Sequence, residues 1–282
     1  MSKPVKKVTI LTDPRTSRDK ARIAPVLRRV KKELTRLGIE WVDRTGIRLN
    51  LVSPADGSDL FLVVGGDGTM IHFAGYLSKF KLPFFGLNYG HVGFIMNRSR
   101  TILPKTLKAL KDGAFYIGDF PLLEIEGTDL HGNSHKGVGL NDVYIQRMTP
   151  QACNIDVRIG GEELHFSPML CDGIILSTPL GSTAYSYSVT RSIVAIDAPV
   201  LTFTPIAANR SCPAKNIMFP LDTTFNFKVI EPIKRKVTMV SDSFSLGNLT
   251  EAEVFLSKRK VQLCFIHESN QSLPLRFINK MK

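Results

Sequence analysis

Apolar and polar positions follow two rhythms along this chain, and the change between them divides it. In the first, short apolar runs alternate with stretches of helical period. Lys7–Thr12 predicts a strand, and Asp13-Pro14-Arg15 leads into a long helix whose apolar positions are Ile23, Val26, Leu27, Val30, Leu34 and Leu37. Gly38 ends that helix as a C′ glycine, and Ile39–Val42 predicts a second strand. Leu60–Val64 is an unbroken apolar run, the pattern of a strand buried on both faces; Met70, Phe73, Ala74 and Leu77 then predict a helix starting at Thr69. Pro83–Leu87 predicts another strand, and Leu103, Leu107 and Leu110 a helix closed by Gly113. Strands alternating with helices predict a mostly parallel sheet covered on both faces, with ligands beyond the carboxyl ends of its strands, where Gly65–Thr69 lies.

After about residue 117 the segments become short and β-rich, separated by Gly, Asn, Asp and Pro. Predicted strands run over Leu122–Ile125, Gly137–Gln146, Asn154–Ile159, Glu163–Phe166, Gly173–Ser177, Thr223–Ile230, Lys236–Val240 and Val261–Ile266, with a hairpin turn at Ile159-Gly160-Gly161-Glu162. The fold class is therefore an α/β N-terminal domain with a parallel sheet, residues 1–116, followed by an all-β antiparallel sandwich-like C-terminal domain, residues 117–267. Leu273, Leu275, Phe277 and Ile278 are expected to return the tail, 268–282, to the first domain.

Composition narrows the class. An apolar share of 43% and a charged share of 22% over 282 residues describe a globular protein of two domains. No apolar run approaches the ~20 residues of a membrane span, and Met1–Lys7 lacks a hydrophobic signal core, so a cytoplasmic location and no membrane partner are expected. Cys153, Cys171, Cys212 and Cys264 are scattered without a C-x-x-C pair, the pattern of small buried residues and not of a disulfide frame or zinc site. The net charge of +12 raises the question of nucleic acid, but the excess lies in separate clusters: Arg28 to Arg36, Lys234–Lys236, Lys258–Lys260, and Arg276 to Lys282. A solvated basic surface fits them better than a nucleic-acid track, and would also draw an anionic small substrate.

The chemistry-bearing stretch is Gly65-Gly66-Asp67-Gly68-Thr69, between the buried strand and its helix. Glycines let a phosphoryl group approach the main chain, and the N–H groups of the first helical turn meet it with the positive end of the helix dipole. Asp67 would repel that ligand, which points to a second role: holding a metal, taking a proton, or capping the helix. Three later stretches add to it. Gly86-Leu87-Asn88 with Gly90, His91 and Gly93-Phe94 spaces glycines for close backbone approach. Asn141-Asp142 sets an amide beside a carboxylate, suited to sugar hydroxyls or to a turn. Asp172-Gly173 leads a strand that exits through Ser177-Thr178-Pro179 and Gly181-Ser182-Thr183-Ala184-Tyr185, whose hydroxyls and aromatic face suit ribose and base.

In this order and combination, over about residues 58–270, these stretches strongly resemble the NAD kinase family. The resemblance implies transfer of the terminal phosphoryl of ATP, or of polyphosphate, to the adenosine-ribose 2′-hydroxyl of NAD, giving NADP. It implies a β-rich dinucleotide-binding domain after the phosphate-binding one. Asp67 is implied as the base or orienting group. Gly65, Gly66, Gly68, Thr69 and Asn88 are implied on the phosphates, and Asn141 and Asp142 on ribose hydroxyls. Asp172 is implied on the nicotinamide side, and Thr183, Ala184, Tyr185 and Ser188 at the adenosine and carboxamide ends. Mg²⁺ arriving with ATP and a homodimer or homotetramer are implied as well. The chain departs from the family's pattern at Asp142, where Glu is usual, and at Leu180, where Thr is usual. Val189-Thr190-Arg191-Ser192 replaces a segment with a Gly-Gly pair, and Asn209 stands where His is frequent. His91 could face a phosphate, and Arg191 either solvent or a ligand phosphate. Lipid and other small-molecule kinases share Gly-Gly-Asp-Gly-Thr without the later segment, and a nucleotide-binding homologue of weakened activity is the remaining alternative.

Overall fold

The computed structural model describes residues 2–13, 17–90, 93–99, 101–165, 167–209, 212, 215–242 and 245–266. His91, Phe166 and the tail expected to return to the first domain lie outside them. The chain divides into two compact units, one running to Phe120 and taking up the chain again at Val261, the other Pro121–Lys260.

The first unit contains β1 (Lys7–Leu11), α1 (Ser17–Arg36), β2 (Glu40–Asp43), β3 (Leu60–Gly65), α2 (Asp67–Leu77), β4 (Phe84–Asn88), the short β5 (Asn97–Arg98) and α3 (Leu103–Asp112). β2, β1, β3 and β4 pair in that order, all parallel. Side-chain alternation then assigns the two faces. Val8, Ile10, Leu60, Leu62, Val64, Phe85 and Leu87 pack with Leu27, Val30 and Leu34 of α1 and Leu103, Leu107 and Leu110 of α3. On the other face Phe61 stacks on Phe84 with ring centroids 5.0 Å apart, and Met70 of α2 sits over Gly86, where a Cβ would strike it. The apolar run of β3 is thus buried twice over, as its composition predicts.

The second unit follows the strands β6 (Phe115–Asp129), β7 (Ser134–Gly139), β8 (Asp142–Arg147), β9 (Cys153–Ile159), β10 (Glu162–Glu163), β11 (Met169–Cys171) and β12 (Gly173–Ser177). A 3₁₀ turn and the short α4 (Tyr185–Thr190) intervene before β13 (Val200–Ile206), β14 (Ile217–Pro220), β15 (Phe225–Val229), β16 (Val237–Ser241), β17 (Ser245–Gly247) and β18 (Leu249–Ile266). β6 and β18 contribute residues to both units. One antiparallel sheet has the order β14-β13-β12-β8-β16-β17. Its inner face (Val143, Ile145, Ile174, Leu176, Phe203, Met239) meets that of the strands β9, β15 and β18 (Ile155, Val157, Phe225, Phe227, Val254) in one core. The hairpin at Gly160-Gly161 has φ of +60° and +89°, the geometry for which the glycine pair is suited.

Three expectations are corrected. Gly137–Gln146 is two strands, β7 and β8, broken at Leu140-Asn141. α2 begins at Asp67, because the Gly66 carbonyl already accepts the Met70 N–H at 3.1 Å. Of the predicted strand Glu163–Phe166, only Glu163 is strand among the described residues, in β10, and β5, β11, β13, β14 and β17 have no counterpart among the predicted strands.

Candidate active site

In the first unit the ends of β3 and β4 are tied together by backbone. The Gly65 carbonyl accepts N–H bonds from Tyr89 at 2.7 Å and Gly90 at 3.2 Å. A Cβ on Gly90 would lie 3.0 Å from Gly66 Cα, so a side chain there would force the two turns apart. Asn88 closes β4, with its Oδ1 accepting the Gly90 N–H at 2.9 Å. Gly93 has φ +71° and faces the Asn88 amide so closely that any Cβ would collide with it. Gly66 caps α2 without a side-chain bond, so Asp67 is not a capping residue. Its two oxygens instead accept the N–H groups of Phe94, at 2.8 Å, and Ile95, at 3.0 Å. The carboxylate is fixed across two glycine-rich turns with its remaining lone pairs available for other partners. A cavity of about 500 Å³ in this unit is lined by Gly65, Gly66, Thr69, Gly90, Arg22 and Asp13, while Asp67, Gly68 and Asn88 do not line it. Arg22 is exposed on α1 and brings a cation that the motifs do not announce.

In the second unit, Asn141 and Asp142 stand at the break before β8. Asp142 is buried, at 7% exposure. Burial pushes its carboxyl up to about 7, the Asp242 charge adds to the rise, and the Tyr185 N–H opposes it. Asp242, just past β16, is raised by burial to about 6, against the N–H groups of Asn141, Leu140 and Asp142. Tyr185 packs edge-on against Tyr144 with centroids 5.1 Å apart, and burial raises both phenols. Asp172 is held by Arg147, Nε to Oδ1 at 2.6 Å and Nη2 to Oδ2 at 3.3 Å, which neutralises much of what its carboxylate offers a ligand. Thr183 Oγ1 donates to the Leu180 carbonyl at 3.2 Å, Ala184 is partly buried, and Ser188 is exposed on α4. Leu180 is buried, where a hydroxyl would need a partner. Asn209 sits past β13, its N–H donating to Leu170 O at 2.9 Å. Arg191 ends α4 at φ +56°, a conformation that favours glycine, with its guanidinium 5.3 Å from the Tyr187 ring centroid.

Within the second unit the Tyr185 N–H joins the Asp172–Tyr185 stretch to Asp142. Arg147 and Asp242 are the residues that sequence reasoning missed. Arg147 becomes visible only through the register that sets Gln146 opposite Gly173, and Asp242 is one acid after a strand, without a motif. A groove of about 560 Å³ elsewhere in this unit, among Glu126, Asp156, Arg158, Lys228 and Glu253, contains none of the motif residues.

A parallel α/β unit with a glycine-rich strand-to-helix turn, followed by an antiparallel β unit bearing carboxylates, hydroxyls and an aromatic ring, suits the class of kinases that act on a nucleotide-like substrate. The ATP-NAD kinase N-terminal domain matches residues 18–115 and the ATP-NAD kinase C-terminal domain residues 140–259. The NAD kinase of Rhizobium meliloti is 30% identical over 205 residues, covering 72% of this chain and 77% of its own. That of Caulobacter vibrioides is 29% identical over 237 residues, covering 84% and 88%. The chain belongs to the NAD kinase family. Its fold is also similar to a crystal structure of an NAD kinase from Archaeoglobus fulgidus in complex with ATP (TM-score 0.74, 20% identity, 97% and 98% covered). Yeast NADH kinase complexed with NADH is a second such neighbour (TM-score 0.75, 22% identity, 98% and 87% covered).

Proposed function

We propose that this NAD kinase transfers the terminal phosphoryl of ATP to the 2′-hydroxyl of the adenosine ribose of NAD, producing NADP. The observation that carries the residue roles is the Asp67 carboxylate, fixed by two backbone amides directly after Gly65 and Gly66, the glycines that line the cavity. Gly65, Gly66, Gly68, Thr69 and Asn88 take the donor phosphates. Phosphoryl transfer depends on positioning and charge neutralisation, with little covalent work for the protein. Asp67 accepts the proton of the attacking hydroxyl or orients it. Asn141 and Asp142 hold ribose hydroxyls, Asp172 the nicotinamide side, and Thr183, Ala184, Tyr185 and Ser188 the remaining polar edges of the dinucleotide. Magnesium arriving with the triphosphate would supply positive charge, held by the phosphates and not by protein side chains alone. A cytoplasmic location and a homodimer or homotetramer complete the reading, to be checked by fractionation and sedimentation.

The test is NADP formation from NAD, ATP and magnesium by the wild type and by Asp67→Asn. The variant is expected to bind both nucleotides and to lose at least about a hundredfold in kcat. Near-wild-type turnover in it would remove Asp67 from the chemistry.

A further inference from the structure

The break between β7 and β8 is clamped from two sides. The Asp242 carboxylate accepts the N–H groups of Leu140 and of Asn141, the latter at 2.9 Å, and the Asp142 N–H faces the same group. Successive amides turned toward one anion form a backbone concavity of the kind that binds phosphate elsewhere; here the chain fills it with its own carboxylate. On the carbonyl side, Thr178 Oγ1 donates to Leu140 O at 2.7 Å and Thr178 N–H to Asn141 O at 2.9 Å. Gly181 closes over Asn141 O so tightly that no Cβ fits.

We propose that Asp242 is a positioning residue for the acceptor: by holding the backbone of residues 140–142 it sets where the Asn141 and Asp142 side chains point. It orients the ribose-binding pair from behind through those amides. The inference rests on the reading of Asn141 and Asp142 as ribose-binding residues. It also ties acceptor binding to pH. The ionisable groups facing Asp142 are Asp242, Tyr144 and Tyr185, with Asp172 acting in turn on Tyr185. Near neutrality Asp142 and Asp242 are therefore the members of this group that change charge.

The experiment measures KM and calorimetric Kd for NAD, and KM for ATP, in wild type, Asp242→Asn and Asp242→Glu between about pH 5.5 and 8.5. Asp242→Asn keeps an acceptor for part of the amide set but turns an NH₂ group on the rest. Its Kd for NAD is expected to rise at least about tenfold, its KM for ATP to change less than about twofold, and the acidic limb of its NAD-affinity profile to move to lower pH. Partial recovery of NAD affinity is expected in Asp242→Glu. A variant with wild-type affinity and an unmoved acidic limb overturns the inference, as does one that loses folded fraction while its folded molecules bind NAD normally. If the variants do not fold, nitrogen-15 spectra of the wild type decide: the Leu140, Asn141 and Asp142 amides must shift together through one titration, and independent shifts overturn the clamp. Wild type that fails to bind NAD overturns both this inference and the function it rests on. Wild type that binds NAD beside an unaltered Asp242→Asn overturns this inference alone.

Discussion

Asp142 is a carboxylate kept where its charge is expensive. Its folded value of about 7 lies above the ordinary value near 3.8, so the folded protein holds this proton more tightly than the unfolded chain does. The destabilisation is absent below about pH 4, grows through the window between the two values, and is complete above about pH 7. Asp142→Asn removes the charge and keeps an oxygen for the Tyr185 N–H. It is expected to gain about 2–4 kcal/mol over wild type at about pH 8 and nothing at about pH 4, measured by urea unfolding, while weakening NAD binding. Arg191 makes a different trade. Its left-handed backbone costs about 1 kcal/mol, and the Tyr187 ring beneath its guanidinium returns about 0.5–1 kcal/mol. Arg191→Ala keeps the strain and loses the ring, and is expected to lower stability by about 0.5–1 kcal/mol. Arg191→Gly should stay within about 0.5 kcal/mol of wild type, since it loses both; thermal unfolding of the two variants separates the terms. Asp67 stood out in the sequence as a candidate because a charge among glycines has no packing purpose. Asp242 did not, because its importance lies in backbone groups a hundred positions away.

At the scale of elements, legibility followed periodicity. β3 and the helices α1 and α3 announced themselves through runs and repeats that only one kind of burial satisfies. β14 and β17 are only four and three residues long, so neither alternation nor length marks them; β13 does alternate over Leu201-Thr202-Phe203-Thr204, and Pro205 near its end is what counts against a strand there. The division of Gly137–Gln146 was legible in part, because Gly139 and Asn141-Asp142 are turn-forming residues, but the break itself is fixed by Asp242 and Thr178 from other parts of the chain. Two glycines packed against β8 and the break before it are close-approach residues. Gly173 lies against Ile145 O and Gly181 against Asn141 O, both backbone atoms that cannot swing aside. Gly181→Ala is therefore expected to cost more than about 3 kcal/mol, or to release the 140–142 segment and raise the Kd for NAD. Gly132→Ala is its control: nothing lies near that Cβ, and only a left-handed turn at φ +80° resists it, so about 1 kcal/mol and unchanged binding are expected.

At the scale of the whole molecule, the two rhythms of the sequence correspond to two separate cores, one around β1, β3 and β4 with α1 and α3, the other around β9, β12, β13 and β15. The donor-side residues all lie in the first unit, and the residues proposed for ribose and base all lie in the second. Local opening in each unit is therefore opposed by its own ligand contacts, and stabilisation by a bound ligand follows occupancy, about 2.7 kcal/mol at a concentration near 100 times its Kd. MgATP alone is expected to slow amide exchange up to about a hundredfold in the Gly65–Met70, Asn88–Gly90 and Gly93–Ile95 segments, and to leave Asn141–Asp142 and Gly181–Ser188 near their free rates. NAD alone is expected to protect those latter segments. Exchange measured by mass spectrometry with each ligand separately decides the matter: protection of Asn141–Asp142 by MgATP alone would move the donor into the second unit and exchange the roles assigned to the two glycine-rich regions.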